Sequence, residues 1–515
     1  MLRALNTVQR LSSTRAMSTS SISSLLKNPN LLRNQGYVNG QWVSSKTGDT
    51  FSVENPATGE TLGQVPEFSV AEADEAVQHA QTAFKTFKHT TGRERSKMLR
   101  KWYDLMQENA GDLATLVTLE NGKSLADAKG EIGYGASFFE WFSEEAPRIY
   151  GDIIPSANPA NRIYTIKQPI GVCGIITPWN FPSAMITRKA AAAVAAGCTM
   201  VIKPGSETPY SALALAYLAE QAGIPKGVVN VVTTKKNTRA FGNALCENPT
   251  VKKVSFTGST GVGKTLMGAS ASTLKKLSFE LGGNAPFIVF EDADIDRAVD
   301  GAIASKFRGT GQTCVCANRI YVHESIAEKF AERMAAVVKD FKVGNGLDPN
   351  TTHGPLIHEG AKGKIQEQVD DAVKKGGKVL IGGSDAPEIG KAFFQPTVIS
   401  GAKSDMLIAS EETFGPIAAI FPFKTDAEVI ELANKAEVGL AGYFYSKDVY
   451  RIQQVAEALE VGMVGVNTGL MTECALPFGG IKESGFGREG SKYGLDDYMV
   501  LKTIVVSGVE PHIQP

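Results

Sequence analysis

Three features of this 515-residue chain predict an α/β fold with a parallel sheet wrapped by helices. Short apolar runs at 172–176, 200–202, 228–232 and 254–256 alternate with helical periodicity at 183–196, 210–222 and roughly 262–274. Turns carrying Pro, Gly or Ser follow three of these runs: Thr177-Pro178-Trp179-Asn180, Lys203-Pro204-Gly205-Ser206 and Thr257-Gly258-Ser259-Thr260-Gly261. A second block with the same alternation runs from about 285 to 496. Strands spaced by helices in this way form a parallel sheet wrapped by helices. Ligands of such sheets lie beyond the carboxyl ends of the strands, so function is sought in the turns.

Composition narrows the classes of function. The chain carries 53 Lys+Arg and 54 Asp+Glu, a net charge of −1, which argues against nucleic acid as a partner. Apolar residues make up 43%, enough for a large core, and a length of about 100–200 residues per domain allows two to four domains. No apolar run approaches a membrane span. Six cysteines without C-x-x-C and six histidines without H-E-x-x-H predict no metal site.

The elements follow in order. No Asp or Glu precedes Asp49, while Arg3, Arg10 and Arg15 stand among clustered serines. An acid-free, Arg-bearing, Ser-rich start predicts a mitochondrial targeting leader over 1–30, and Met17 offers a second start that would leave a cytosolic product. Val70, Ala73, Val77, Ala80 and Phe84 mark an amphipathic helix over 70–87; Met98, Trp102, Leu105 and Met106 mark another over 94–108. After the first block, Phe287 to Phe290 opens the second, with helices near 325–339, 359–375, 426–436 and 449–459. The apolar, β-branched stretch 498–506 reads as a late strand, paired with the 162–166 region or with another subunit.

Three motifs point in different directions. Gly258 to Thr265 fits G-x-x-x-x-G-K-[ST] after a strand, the phosphate loop of a nucleoside triphosphatase. Its less specific content, Gly-rich backbone at a helix N-terminus, serves a dinucleotide pyrophosphate equally well. Gly485 to Gly490 fits G-x-G-x-x-G, but no strand precedes it and only 25 residues follow, so it reads as a loop. The third carries chemistry. Gly309 to Cys314 sets a cysteine after a glycine-bearing loop, and Glu280 stands beside Gly282-Gly283. With Asn180 these supply a nucleophile, a general base and an oxyanion donor.

Trp179-Asn180-Phe181-Pro182, the Lys203-Pro204 turn, Phe256-Thr257-Gly258-Ser259, Glu280-Leu281-Gly282-Gly283, Gly311-Gln312-Thr313-Cys314 and Glu412-Thr413-Phe414-Gly415-Pro416 occur in that order. The set resembles the aldehyde dehydrogenase superfamily over roughly 36–506. The resemblance implies a Rossmann-type cofactor domain (36–148 and 169–281), an α/β catalytic domain (282–496) and a small β oligomerisation element (149–168 and 497–510). It also implies a tetramer of paired dimers. It gives Cys314 the role of nucleophile, Glu280 that of base for thioester hydrolysis, and Asn180 with the Cys314 N–H that of oxyanion donors.

The implied cofactor is NADP, NAD or both. Lys203 and Glu412 are expected at its riboses. Gly258, Ser259 and Gly263 are expected at the pyrophosphate. Thr177, Trp179 and Phe414 line its path. Members that prefer NAD often place Glu three residues after the lysine; here Ser206 stands there, which favours acceptance of a 2′-phosphate.

Arg188 and Arg308 flank the two halves of the site, and Arg binds carboxylates bidentately. The stretches 177–189, 304–316 and 478–485 resemble the succinate-semialdehyde dehydrogenase branch, with Thr472 as the hydroxyl contact. A small aldehyde with a distal carboxylate is the implied substrate. Glutarate semialdehyde, a broad aldehyde range, a non-enzymatic binding role and, remotely, NTP hydrolysis are the alternatives. Cys316, two residues after the nucleophile, is a packed thiol or a redox partner of Cys314, as in some members of this branch.

Overall fold

The computed structural model describes residues 22–509. Two large sheets, a three-stranded one and two two-stranded ones organise them. Five parallel strands form the middle of the first sheet: Val229–Val231, Thr199–Lys203, Val172–Ile176, Val251–Thr257 and Lys276–Glu280, in spatial order. Numbered along the chain, that order is 3-2-1-4-5. The winding reverses beside Val172–Ile176, where ligands of such sheets bind.

Local signals explain the helices. Ser69 and Glu72 form a reciprocal capping box that starts Val70–Phe87, and Thr91 with Glu94 does the same for Gly92–Glu108. The second box begins that helix two residues before the apolar periodicity does. Ala184–Ala196 is buried along its whole length, and its alanines let the chain pass close beneath the sheet. It ends at Gly197, whose φ of 91° suits glycine.

Four helices of ten residues or more escape the sequence reading: Thr238–Glu247, Ile295–Phe307 and the adjacent pair Ala110–Asn121 and Leu125–Glu145. The adjacent pair is apolar on more than one face because its second helix packs between Gly92–Glu108 and Ala184–Ala196.

The second sheet holds six parallel strands, with Lys378–Ile381 added antiparallel at one edge. Ala285–Val289 and Ala317–His323 lie at its centre, and separate apolar clusters cover its two faces. The connection between the large sheets is short: Lys276–Glu280 ends the first, and Ala285–Val289 opens the second.

Of the two pairings open for the late strand, the chain makes the internal one. Met499–Val506 pairs antiparallel with Arg162–Pro169 from Met499↔Pro169 to Val506↔Arg162. Ile153–Ile154 completes this three-stranded sheet. Leu501, Val505 and Ile153 are exposed on it. No helix among the described residues is long and apolar enough to cross a membrane.

One boundary needs correction. The leader expected over 1–30 overlaps a packed segment, because Ile22, Leu26 and Leu31 are buried in the core. Asp112 anchors that segment by accepting from the N–H groups of Lys27 and Asn28 at 3.1 and 2.7 Å. The rest of the expected leader lies outside the described residues. Asp112→Ala removes the acceptor of two backbone donors, at a cost of about 2 kcal/mol. Hydrogen exchange of residues 22–31 is expected to accelerate about tenfold or more while the sheets stay protected; unchanged exchange would show that the apolar contacts alone hold the segment.

Candidate active site

Parallel strands deliver the sequence-predicted residues to one edge. Thr177, Trp179 and Asn180 follow Val172–Ile176, and Lys203 ends Thr199–Lys203 with Ser206 just beyond. Gly258 and Ser259 follow Val251–Thr257, and Glu280 is the last residue of Lys276–Glu280. The second block brings Cys314 in the loop before Ala317–His323, and Glu412 with Phe414 before Ile417–Phe423.

Backbone proximity joins the two halves. A Cβ on Gly283 would lie 2.3 Å from the Cys314 carbonyl oxygen, so only glycine lets the Glu280 loop meet the Cys314 loop. A Cβ on Gly311 would lie 2.2 Å from the Gly415 carbonyl oxygen, which presses the Cys314 loop against the Glu412 loop. Gly283 also donates its N–H to the Glu412 carboxylate at 3.1 Å. The Asn180 amide donates to the Gln312 carbonyl at 3.0 Å, two residues before Cys314. Trp179 meets Phe414 edge-on at 5.7 Å between ring centres. The loop positions of all three chemical residues are therefore coupled.

A buried ion pair that the sequence reading does not predict supports Asn180. Lys123 Nζ donates to Glu131 at 2.6 Å and to the Asn180 carbonyl at 2.7 Å. The other Glu131 oxygen accepts from the Ser183 and Ala184 N–H groups at the start of Ala184–Ala196. Two cations adjacent on one wholly buried helix were the legible signal for a second such cluster. Arg188 pairs with both Glu280 and Glu489, and Lys189 pairs with Glu489 and donates to Thr257 Oγ1 at 2.7 Å. Glu489 sits inside the G-x-G-x-x-G stretch, so that loop is structural.

This cluster gives Arg188 partners that the sequence reading did not supply. The sequence turns both arginines toward a substrate carboxylate, yet Arg188 is 1% exposed and already holds two carboxylates. A guanidinium buried in a helix needs compensating charge, and its five donors serve more than one partner. Arg308 is less enclosed. It donates to Thr472 Oγ1 at 3.2 Å and lies over the Phe181 ring, so these two predicted contacts do meet. Glu473, beside Thr472, is exposed.

Electrostatics follow from burial. Burial pushes the Cys314 thiol up to about 12, against the pull of Arg188 toward the thiolate. Burial raises Glu412 to about 7, opposed by the Gly283 N–H, and lowers Lys203 to about 8. Cys316 is buried, with its thiol turned to the Lys306 carbonyl at 3.5 Å.

A dinucleotide fits this edge. The N-terminus of Thr260–Ser270 faces the strand ends, and the Thr177 hydroxyl is buried without a partner. Lys203 lies near Glu207 and Glu67, and the Ser206 hydroxyl donates to Glu207 at 3.2 Å. Gly263 is a correction: its N–H is spent on Ser259 O within the helix, and its missing side chain makes room for Leu281. The phosphate-loop reading also falls. Lys264 turns outward to Glu483 at 2.6 Å, and the Thr265 hydroxyl returns to Gly261 O.

Residues 42–504 match the aldehyde dehydrogenase family model. The chain belongs to the aldehyde dehydrogenase family. Among its relatives is a succinate-semialdehyde dehydrogenase (NADP(+)) of Saccharomyces cerevisiae, 59% identical over 484 residues, 94% of this chain and 97% of that one. A glutarate-semialdehyde dehydrogenase of Pseudomonas putida is 56% identical over 482 residues, 94% and 99% of the two chains. The crystal structure of succinate-semialdehyde dehydrogenase from Burkholderia pseudomallei superposes with a TM-score of 0.92 at 53% identity, over 94% of this chain and 99% of that one.

In this aldehyde dehydrogenase the apposed loops set a sharp constraint. Gly283→Ala is expected to keep the fold and lower kcat about a hundredfold or more, since a 1 Å displacement of a catalytic group costs that much. Turnover within a few-fold of wild type would show that the loops can separate without loss.

Proposed function

We propose that this chain oxidises succinate semialdehyde to succinate through a covalent Cys314 adduct. The observation that carries the reading is a buried guanidinium, Arg188, near the thiol, with a second arginine, Arg308, held on Thr472. Arg188 lies close enough to Cys314 to favour its thiolate, and both Arg188 and Arg308 act on the buried Tyr134 hydroxyl. Arg308 also carries Thr472. A four-carbon aldehyde attached at Cys314 would carry its far carboxylate toward these groups, and the names of the yeast and Burkholderia relatives support that substrate. Glutarate semialdehyde, the substrate named for the Pseudomonas putida relative, is one methylene longer and remains the second reading.

The residues divide the work. Cys314 attacks the aldehyde carbon as its thiolate. The Asn180 amide has two N–H groups, of which one holds Gln312 O and the other is available to the oxyanion with the Cys314 N–H. Loss of one such donor typically costs about 3–4 kcal/mol in the barrier. NADP or NAD, when bound, supplies the two-electron acceptor. Lys203, Ser206, Ser259 and Glu412 would hold it, with Trp179 and Phe414 along its path. Glu280 then takes a proton from the water that hydrolyses the acyl enzyme; its Oε1 is buried without a hydrogen-bond partner.

Assembly and address complete the proposal. The exposed apolar residues of the Met499–Val506 sheet fit a homotetramer of paired dimers. The acid-free first residues fit delivery to the mitochondrial matrix, with Met17 opening a cytosolic form. The name of the human relative includes that compartment, and the yeast name does not.

The test compares kcat/KM for succinate semialdehyde with that for butanal, which lacks the carboxylate. A preference of about a hundredfold, about 3 kcal/mol, is expected for a desolvated arginine contact. In the same assay Glu280→Gln should keep the burst of reduced cofactor and lose steady turnover. Equal values for the two aldehydes would leave a general aldehyde oxidiser.

Cofactor choice has its own test. Ser206→Glu places a carboxylate where a 2′-phosphate would lie, and the NADP-to-NAD ratio of kcat/KM is expected to fall tenfold or more. An unchanged ratio would remove Ser206 from the cofactor site.

A further inference from the structure

Arg188 is already in use at the site where a substrate carboxylate is expected. Its guanidinium is paired with Glu280 and Glu489, and all three side chains are buried. The two carboxylates differ in what else they hold. Glu489 has a second cation, Lys189, and lies 3.4 Å from the Ser255 hydroxyl. Glu280 has Arg188 as its one ion-pair partner among the described residues, and its other oxygen makes no hydrogen bond. If Arg188 moves, Glu489 keeps a counter-charge and Glu280 does not.

The surroundings allow such a movement. The guanidinium carbon lies over the Phe478 ring, 4.5 Å from its centre, a contact without a directional bond. The buried Tyr134 hydroxyl lies within the influence of both Arg188 and Arg308.

We infer that Arg188 masks the general base Glu280 until the distal carboxylate of the substrate draws the guanidinium away, so that the non-reacting end of the substrate switches on hydrolysis of the acyl enzyme. The inference rests on the reading of Arg188 and Arg308 as the carboxylate's partners. A carboxylate held by a guanidinium is a weaker base, because the pair favours its ionised form. Release leaves both oxygens of Glu280 free to accept a proton from water. Binding energy from the remote end of the substrate is thereby spent on the chemical step rather than on affinity.

The step conserves atoms and charge. The oxygen of water bonds to the acyl carbon and the carbon–sulfur bond breaks. One proton of that water passes to Glu280, the other stays on the product acid, and Cys314 leaves as the thiolate. No oxidant or reductant is consumed. In the preceding oxidation the proton of the Cys314 thiol passes to solvent, helped by the charge of Arg188 and without Glu280, so an aldehyde without a carboxylate should acylate Cys314 and then stall.

The experiment is transient kinetics of the full chain with saturating NADP, which separates the burst of reduced cofactor from the steady rate that follows. With butanal the burst is expected, followed by a steady rate at least tenfold below that with succinate semialdehyde. Propanoate, added as a free carboxylate alongside acetaldehyde, is expected to raise the steady rate severalfold and leave the burst rate unchanged. In Arg188→Gln the mask is gone, so the butanoyl and succinoyl enzymes should hydrolyse at similar rates, without response to propanoate.

Equal hydrolysis of the two acyl groups in the wild type would overturn the inference, as would propanoate acting only as an inhibitor. A difference that persists in Arg188→Gln would also overturn it, and would indicate attack by the substrate's own carboxylate on the thioester. Should Arg188→Gln fail to fold, the wild-type comparison and the propanoate response decide alone. Absence of a burst from either aldehyde is a different result, since it would count against the covalent reading itself.

Discussion

Two adjacent cations on a helix with no exposed face, Arg188 and Lys189, set the terms for this structure. A charge left unpaired in such a place costs about 3–5 kcal/mol, so Ala184–Ala196 packs only if carboxylates reach it. Glu489 arrives from the last part of the chain and Glu280 from the end of a cofactor-sheet strand. Satisfying them ties distant segments together. Gly485–Phe486 adds a short antiparallel strand beside Lys276–Glu280, and Phe486 stacks on Phe279 at 5.4 Å. The same helix that covers the sheet thus draws the catalytic block's tail onto the cofactor block.

The apposition of glycine backbones supplies the second constraint. Ion pairs alone leave side chains free to swing by an ångström or more, which catalysis does not tolerate. At Gly283 and Gly311 the absence of a side chain lets peptide groups from separate loops touch directly. Positions set by backbone contact are stiffer than positions set by long side chains. That is why the Glu280, Cys314 and Glu412 loops can come from different parts of the chain and still form one site.

How much of this the sequence made legible depends on how local the cause was. Four of the five parallel cofactor-block strands and the helices at 70–87 and 426–436 followed from the apolar pattern, whereas Lys276–Glu280 did not. Ala110–Asn121 and Leu125–Glu145 left no such pattern, being packed on several faces. Cys314, Glu280 and Asn180 stood out through their glycine and proline neighbours. Lys123, Glu131 and Glu489 did not, since their partners lie 8 to 300 residues away and only the fold brings them together. Gly263 shows the opposite failure: a glycine inside a phosphate-binding pattern proves to be there for Leu281.

The division of labour between the two arginines follows from where each is held. Arg308 belongs to the Cys314 loop and holds a neutral hydroxyl, so a carboxylate can take it without exposing another charge. Arg188 belongs to the buried helix and holds charge, so whatever takes it must replace that charge or leave Glu280 alone in a low-dielectric site. An anion between the two would bind the first for affinity and disturb the second. In the proposed switch, recognition of the far end of the substrate and activation of water at the near end are consequences of one displacement, that of the side chain paired with Glu280.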